Sequence, residues 1–271
     1  MTERDLFAAV CAAPDDDAPR LAYAGFIQKS EPEYAEFIRL QLARAQDERA
    51  RKLPTGQMSP REHEPWSKHY AQWGRYIQRF ARDARNPDAY DQGWGFERGF
   101  IAFIRMEPEN FVALGKRLFE MAPIQHADLY DGSEPVRSLF DSPHLANLDS
   151  LSLWRTKLTD DDAIAIANCE PLSRATWLDL RDNEITLRGV RAMAESPYMQ
   201  NKIVLDLRGN PFDPGDIPSY DSAGTLADWG PPFEAQQLEN QLGRGVPWFR
   251  RVFRKPMPDR YHAKWAGFPP S

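Results

Sequence analysis

Histidine and cysteine are the first candidates for chemistry in this 271-residue sequence, because both can ligate metals and both can act in catalysis. No two histidines have metal-ligand spacing on one helix, and no H-E-x-x-H, C-x-x-C, G-x-S-x-G or P-loop motif occurs. The five histidines are His63, His69, His126, His144 and His262. We therefore expect no catalytic residue, no metal and no cofactor, with an active site assembled from distant residues as the open alternative.

Two runs of three aspartates, Asp15–Asp17 and Asp160–Asp162, are the next candidates, since clustered carboxylates can bind a cation. Neither run has the alternating ligands and distal glutamate of a calcium loop. Negative charge is favoured at the start of a helix, where backbone N–H groups are free. We therefore predict that each run begins a helix.

The glycine-rich segment 93–99 is a candidate phosphate-binding loop, because glycines let a backbone approach a pyrophosphate closely. The spacing of its glycines is one residue too long for the dinucleotide-binding fingerprint. Trp94 and Phe96 also place bulky side chains where a phosphate needs open backbone. The segment predicts a structural turn.

Three apolar triplets recur at intervals of 27 residues, and they are the elements that would position a binding surface. They are Leu151–Leu153, Leu178–Leu180 and Leu205–Leu207. Small and apolar residues follow the first two at helical spacing. Asn183 and Asn210 occupy equivalent places after their triplets, where an amide can use both its donor and its acceptor on the backbone of a bend. A fixed period of this length predicts stacked strand–turn–helix units that bury each other's apolar face.

Two weaker units precede these three, with strand candidates at 127–129 and 101–103. The pattern L-x-x-L-x-L-x-x-N-x-I resembles the leucine-rich repeat, and the unit length with its helical return resembles the ribonuclease-inhibitor-like subclass. The resemblance implies an α/β fold, a short solenoid of parallel strands and helical returns. We place about five units in residues 93–211.

Residues 1–92 carry helical patterns, including a helix over 33–51, an expected loop over 52–65 and an aromatic stripe from Trp66 to Phe80 that predicts a core face. The segments Asp15–Ala24 and Ala35–Gln41 resemble the bacterial repeat-companion domain, a short module found before leucine-rich or similar repeats. Gly93–Phe100 resembles its bridge into the repeats, whereas Gly25–Phe26 stands where that family usually has Asp-Trp. The resemblance implies a helical N-terminal cap and no assigned activity.

Proline and aromatic residues are frequent in residues 212–271, which we expect to cap the other end of the repeats. The net charge of −6 and the pI of about 5.5 argue against general nucleic-acid binding. No apolar run approaches the length of a membrane helix, and the charged segment Thr2–Asp5 does not fit a signal-peptide pattern. Two cysteines exclude a disulfide framework, so we expect free thiols in a cytoplasmic protein.

Side chains alternate along a strand, so residues beside the inward leucines are expected to point outward from the sheet. Tryptophan, tyrosine and arginine together are typical of interface hot spots. The residues that we expect to bind a partner are Tyr130, Trp154, Trp177, Asp179, Arg181, Asp206 and Arg208. A solvated sheet on which aspartate and arginine neutralise each other is the alternative.

These patterns favour a non-catalytic interaction module that binds a protein or peptide on the concave face of a leucine-rich-repeat arc. We expect neither a nucleic acid nor a membrane as partner. The alternative function is an enzyme subunit or substrate-recognition platform for a peptide-modifying activity. Self-assembly through an uncapped end is a third.

Overall fold

A computed structural model of the chain describes residues 1–51, 58–77, 80, 93–130, 137–201, 204–207, 209–211 and 240. Contacts divide it into two compact units. The first contains the described residues of 1–106 and 114–125, and the second contains those of 107–113 and 126–256. Helices and strands alternate in the second unit, and the strands there are parallel, so the chain has an α/β fold.

The described residues of the first unit form four helices followed by a hairpin, together with part of a fifth helix that is given below. Its elements are α1 (Glu3–Ala12), α2 (Asp17–Ile27), α3 (Pro32–Arg51), α4 (Pro60–Gly74), β1 (Trp94–Glu97) and β2 (Phe100–Met106). A reciprocal capping box starts α1: the Asp5 backbone N–H donates to the Thr2 hydroxyl at 3.2 Å, and the Thr2 N–H donates to the Asp5 carboxylate at 2.8 Å. Pro14 follows α1, at a place where proline cannot continue a helix.

Aromatic side chains form the core of the first unit. Phe100 is fully buried, and its ring lies 5.4 Å from that of Tyr23 and 6.3 Å from that of Tyr34. Trp73, on the predicted aromatic stripe, stacks on Tyr34 at 4.6 Å. Such ring pairs add packing energy beyond their buried area. Trp73 and Ile77 are buried, which confirms the predicted core face at these two positions.

A two-residue turn at Arg98 and Gly99 joins β1 to β2, so the prediction of a structural turn in this segment is confirmed. Both residues have left-handed backbones, with φ of 51° and 84°, as a tight hairpin requires. A Cβ on Gly99 would lie 2.6 Å from the Ile38 side chain, so glycine is required there. The triplet 101–103 therefore lies in a strand that pairs antiparallel with β1.

The predicted loop over 52–65 is wrong for its second half, because α4 begins at Pro60. Ser59 caps this helix together with Glu62, and Pro60 stands at the first helical position, where a missing N–H costs nothing. The prolines suggested a loop, but Pro60 suits the first turn of a helix, and Pro65 lies inside α4. Residues 52–57 lie outside the described part of the chain.

The second unit alternates strands with helical segments. Its strands are β3 (His126–Leu129), β4 (Ser150–Ser152), β5 (Trp177–Asp179) and β6 (Val204–Asp206). Its α-helices are α6 (Arg137–Phe140), α7 (Asp160–Asn168) and α8 (Leu187–Glu195), while α5 (Pro108–Met121) is divided between the units. Three 3-10 helices, Pro143–Asn147, Glu170–Ser173 and Pro197–Met199, lead back toward the next strand.

The four strands described in the second unit pair in chain order and in parallel. Leu151 is opposite Leu178, and Leu178 is opposite Leu205, so the 27-residue interval in the sequence equals the register between neighbouring strands. All three leucines are fully buried. The apolar triplets therefore supply one continuous row of the core.

Buried asparagines hold the bends after β5 and β6. The Asn183 amide donates to the carbonyls of Leu153 at 2.8 Å and Leu180 at 2.9 Å, and its oxygen accepts the N–H groups of Thr156 and Leu158, each at 3.0 Å. Asn210 repeats the donor pair on Leu180 and Leu207, and its oxygen accepts from the Ile185 N–H. The expected use of both amide groups is confirmed, and each asparagine ties one bend to its neighbour.

The predicted C-terminal cap, residues 212–271, lies outside the described residues apart from Asn240. Within the part of the chain that is described, no helix combines the length and the apolar character needed to cross a bilayer. Cys11 and Cys169 are not joined in a disulfide, and burial raises the pKa of Cys11 to about 12.

Candidate partner-binding site

Polar and aromatic side chains meet where β4 and β5 end. Trp154 and Arg181 occupy equivalent places 27 residues apart, each two positions after the last residue of its strand. Backbone hydrogen bonds continue beyond the strands, from the Leu153 N–H to the Asp179 carbonyl at 2.8 Å and from the Arg155 N–H to the Arg181 carbonyl at 3.1 Å. The two loops are therefore held side by side. We call Trp154, Arg155, Asp179, Arg181, Asp182 and Asp206 the strand-end cluster.

Trp154 lies at the centre of the strand-end cluster. Its indole N–H donates to the Asp182 carboxylate at 2.7 Å. The Arg155 guanidinium lies 4.7 Å from the centre of the indole ring system, and that of Arg181 lies 5.8 Å from it. Cations at these distances are attracted by the ring quadrupole. Charged groups thus fix the orientation of the indole, with a carboxylate at its N–H edge and two guanidinium groups against its ring.

Arg181 is bound to two carboxylates on neighbouring strands. It makes a bidentate pair with Asp179, at 2.9 Å from Nε and 2.7 Å from a terminal nitrogen, and its Nε lies 3.6 Å from Asp206. Burial raises the pKa of Asp179, although the Arg181 guanidinium opposes this shift. Burial lowers the pKa of Arg181, but the hydrogen bonds and charge of Asp179 outweigh it, so the pKa is raised overall. Arg181 therefore stays charged.

The loop backbones of the cluster are left-handed at one repeated place. Arg155 has φ of 57° and Asp182 has φ of 53°, and the equivalent residue in the next loop is Gly209, with φ of 73°. Non-glycine residues are disfavoured in this conformation. Arginine at 155 and aspartate at 182 thus carry a local conformational cost that glycine avoids at 209.

The structure places the predicted binding residues at different depths. Trp154 and Arg181 are half-buried and share the strand-end cluster. Tyr130, Trp177, Asp179 and Asp206 are 2 %, 3 %, 2 % and 4 % exposed, so the expectation that these side chains face solvent is wrong. Parallel strands lie only about 4.8 Å apart, so large side chains and ion pairs on adjacent strands shield each other. Arg208 lies outside the described residues.

Sequence reasoning missed Arg155 and Asp182. Both lie in loops after the strands, whereas the prediction considered alternation within the strands. A signal was available, because the residue 27 positions after Asp182 is Gly209, and glycine marks places where φ is positive. Comparing positions 182 and 209 would have predicted a left-handed turn at Asp182, beside Trp154.

Both aspartate runs begin helices, as predicted. Asp16 caps α2 by accepting the Ala18 N–H at 2.9 Å, and Asp17 pairs with Arg98 at 3.2 Å. Asp160 is the first residue of α7, and its carboxylate accepts the Thr186 N–H at 2.8 Å at the start of α8. Among the described residues, no three histidine, cysteine, aspartate or glutamate side chains are grouped so that they could hold a metal ion.

A cavity of about 570 Å³ lies in the first unit, with Tyr23, Tyr34 and Trp73 among its lining residues. The Tyr23 hydroxyl donates to Glu3 at 3.0 Å, and the Tyr34 hydroxyl donates to the Gly99 carbonyl at 3.1 Å. Both polar groups are therefore used by the fold itself. We place the candidate site at the strand-end cluster.

Comparison of the chain with protein-family models, with curated proteins and with solved structures gave no match.

Proposed function

We propose that the second unit is a short leucine-rich-repeat solenoid of the ribonuclease-inhibitor-like type, and that it serves as a non-catalytic module that binds a peptide segment of a protein partner. The strand-end cluster is the binding surface in this proposal. The observation that carries it is the half-buried Trp154 indole, held by Asp182 and flanked by two guanidinium groups.

Three repeated features support a solenoid. The paired strands β4, β5 and β6 keep the 27-residue interval in their register. Asn183 and Asn210 make equivalent hydrogen bonds to their own bend and to the preceding one. Arg155, Asp182 and Gly209 have the same left-handed backbone. Stacking of near-identical units accounts for all three, because each unit contacts its neighbour in the same way.

Access to solvent favours the strand-end cluster over the strands themselves. The Arg155 side chain is 66 % exposed and that of Asp182 is 42 % exposed, while Asp179 and Asp206 are buried beside Arg181. A partner therefore meets Trp154 and Arg155 first. We expect it to offer an aromatic or apolar side chain to the indole and a carboxylate to the Arg155 guanidinium.

Affinity selection tests this proposal directly. A library of random peptides is selected on the full chain, and the dissociation constants of the enriched peptides are measured against the wild type and Trp154→Ala. We expect enrichment of peptides that combine aromatic and acidic residues. Loss of a central aromatic anchor should weaken their binding at least tenfold, or about 1.4 kcal/mol.

Two further variants make the result specific. Trp66→Ala removes a partly buried tryptophan that packs on the core of the first unit, and it should leave peptide affinity unchanged. Arg61→Ala removes an exposed surface arginine of the first unit and should likewise leave peptide affinity unchanged. Equal affinity of the wild type and Trp154→Ala for every selected peptide would contradict the proposed surface. A change in the mass of a bound peptide would instead support the peptide-modifying alternative.

A further inference from the structure

Helix α2 has two apolar faces, although only one of them packs on its own unit. Arg20, Tyr23, Ala24 and Ile27 form the inner face, at 6 % exposure or less. The spacing of three and four residues between them is that of one side of a helix. This face accounts for the attachment of α2 to the core. It leaves the composition of the outer face unexplained.

The outer face of α2 forms an apolar groove on the surface. Leu21 is 46 % exposed and Phe26 is 51 % exposed, and together with Met1 they are the exposed large apolar side chains of the described residues. Ala18, Ala22 and Gly25 are also exposed and lie between them around the helix. The outer side of a surface helix ordinarily carries charged side chains. Here small residues form a floor between two large apolar walls, which we call the α2 groove.

Gly25 leaves open space in the middle of this groove. A Cβ at this position would have no atom within 4 Å, and φ is not in the left-handed region. The fold therefore places no steric or conformational demand for glycine in the middle of α2. Glycine inside a helix costs about 0.5–1 kcal/mol relative to alanine. Close approach of another backbone is a physical reason for that cost, because only glycine leaves room for it.

We propose that a second copy of this chain occupies the α2 groove, with its own α2 packed antiparallel around an axis near Ala22. In this pairing Phe26 of each copy lies on the partner copy's Ala18, and Gly25 permits the close contact. The same patch serves both copies, as a two-fold interface requires. The apolar side chains left exposed on one copy are thereby covered by the other.

The charges at the ends of α2 are complementary in this arrangement. Asp15 and Asp16 are exposed at the amino end, and Lys29 is exposed just beyond the carboxyl end. An axis near Ala22 brings Lys29 of one copy to the level of Asp15 of the other. Antiparallel packing also sets the helix dipoles head to tail, which favours opposite charges at adjoining ends. A parallel pairing would instead place like charges together.

The small area that α2 can bury sets the expected strength of the dimer. With 11 residues, α2 is about 16 Å long, so the buried area falls below that of standard stable interfaces. We therefore expect a weak dimer, with a dissociation constant of roughly tens of micromolar. Sedimentation equilibrium of the full chain, from about 1 to 200 µM, measures it. The mean mass should rise from 31.1 kDa toward twice that value.

Matched variants separate this contact from a general effect on folding. Gly25→Leu should remain folded, since the new side chain meets open space in the isolated chain. It should block the close contact, so the variant should stay monomeric up to about 200 µM. Ala22→Glu should also abolish association. Ala8→Glu introduces the same charge on an exposed alanine of α1, and it should dimerise like the wild type. Circular dichroism verifies that each variant is folded.

Two results would overturn the proposal. One is a wild-type mass of 31.1 kDa throughout the concentration series, which would leave the α2 groove to a helix of a different protein. The other is a dimer that forms equally well in Gly25→Leu, Ala22→Glu and Ala8→Glu, which would place self-association elsewhere on the chain. Neither result bears on peptide binding at Trp154, because the α2 variants leave the strand-end cluster unchanged.

Discussion

The Trp154 indole N–H and the Asp182 carboxylate are joined by a hydrogen bond of 2.7 Å, although the two residues are 28 positions apart in the chain. This bond links the loop after β4 to the loop after β5. It fixes the edge of the indole while leaving Trp154 half-buried, and it places Asp182 within 3.4 Å of Arg155. A rigid aromatic side chain with neighbouring cations binds a partner at low entropic cost.

Replacing Arg155 with glycine should separate stability from binding. The left-handed backbone at 155 disfavours arginine, so Arg155→Gly should leave the free energy of unfolding unchanged or raise it by up to about 1 kcal/mol. The same change removes the cation nearest the Trp154 ring and should weaken binding of selected peptides several-fold. Urea unfolding and calorimetric titration measure the two effects.

Lys157→Gly is the matched control for Arg155→Gly. Lys157 has the same φ of 57° and is also an exposed cation. Its conversion to glycine should have a similar effect on stability and little effect on peptide affinity. Equal losses of affinity in the two variants would indicate general charge attraction instead of a specific contact of Arg155.

Asn183→Ala should strongly destabilise the second unit. The substitution leaves the buried N–H groups of Thr156 and Leu158 without their acceptor. The carbonyls of Leu153 and Leu180 lose one donor each but keep the Thr156 hydroxyl and the Asn210 amide. Each unsatisfied buried group costs about 1–3 kcal/mol, and relaxation recovers part of the total, so we expect a loss of about 3 kcal/mol. Denaturant unfolding measures the change.

The control for that experiment is Asn168→Ala, which removes an exposed amide with a hydrogen bond to the Ile164 carbonyl at 2.9 Å. Its effect should be below about 1 kcal/mol. A loss in Asn183→Ala no larger than in this control would show that the bends do not depend on the asparagine.

Asp160 should stabilise the fold above about pH 4 and lose that effect in acid. Burial alone raises its pKa, but hydrogen bonds from Thr186, Arg188 and Gly189 outweigh burial and hold the pKa below the ordinary 3.8. Because the folded pKa is the lower one, the stabilisation is complete above pH 3.8 and disappears as the pH falls through the folded pKa. Asp160→Asn should therefore cost about 2 kcal/mol at pH 7 and progressively less below pH 3.8.

Urea unfolding of the wild type and Asp160→Asn across this pH range tests that prediction. Asp141→Asn, which alters an exposed carboxylate, is the comparison variant. A difference between the wild type and Asp160→Asn that does not change with pH would assign the effect to packing and not to the charge of Asp160.

Asp179 should show the opposite pH dependence. Burial raises its pKa above 3.8 in the folded chain even though Arg181 favours the charged form. The folded state then binds the proton more tightly, so Asp179 reduces stability as the pH rises from 3.8 through its folded pKa. The free energy of unfolding of the wild type should fall relative to that of Asp179→Asn over this interval.

Carboxyl NMR of the folded chain provides the direct check on Asp179. We expect its resonance to titrate above pH 3.8. A midpoint below this value would mean that the bidentate Arg181 contact outweighs the cost of burying the carboxylate.

The sequence interval predicted the register of the second unit because the same apolar triplet must fill the same row of the core in each strand. Leu151, Leu178 and Leu205 are opposite one another for this reason. Polar bonding at the bends was also predictable, since a buried asparagine can use its donor and acceptor on two adjacent loops. The preference for negative charge at a helix start likewise identified the starts of α2 and α7.

Burial on the sheet was harder to predict. Alternation gives the direction of a side chain from the strand, but it does not give what lies over that side chain. Trp177 and Asp179 therefore have the predicted strand positions and are nevertheless buried. The hydrogen bond from Trp154 to Asp182 depends on the left-handed turn at Asp182, which strand periodicity does not contain.

Indole NMR of the full chain tests the proposed binding surface most directly. A selected peptide is titrated into chain labelled with nitrogen-15, and the tryptophan N–H resonances, assigned with Trp154→Phe and Trp66→Phe, are followed. We predict a saturable shift of the Trp154 resonance with the same dissociation constant as calorimetry, and no shift of the Trp66 resonance. Saturation of the chain by a peptide while the Trp154 resonance stays in place would contradict binding at the strand-end cluster.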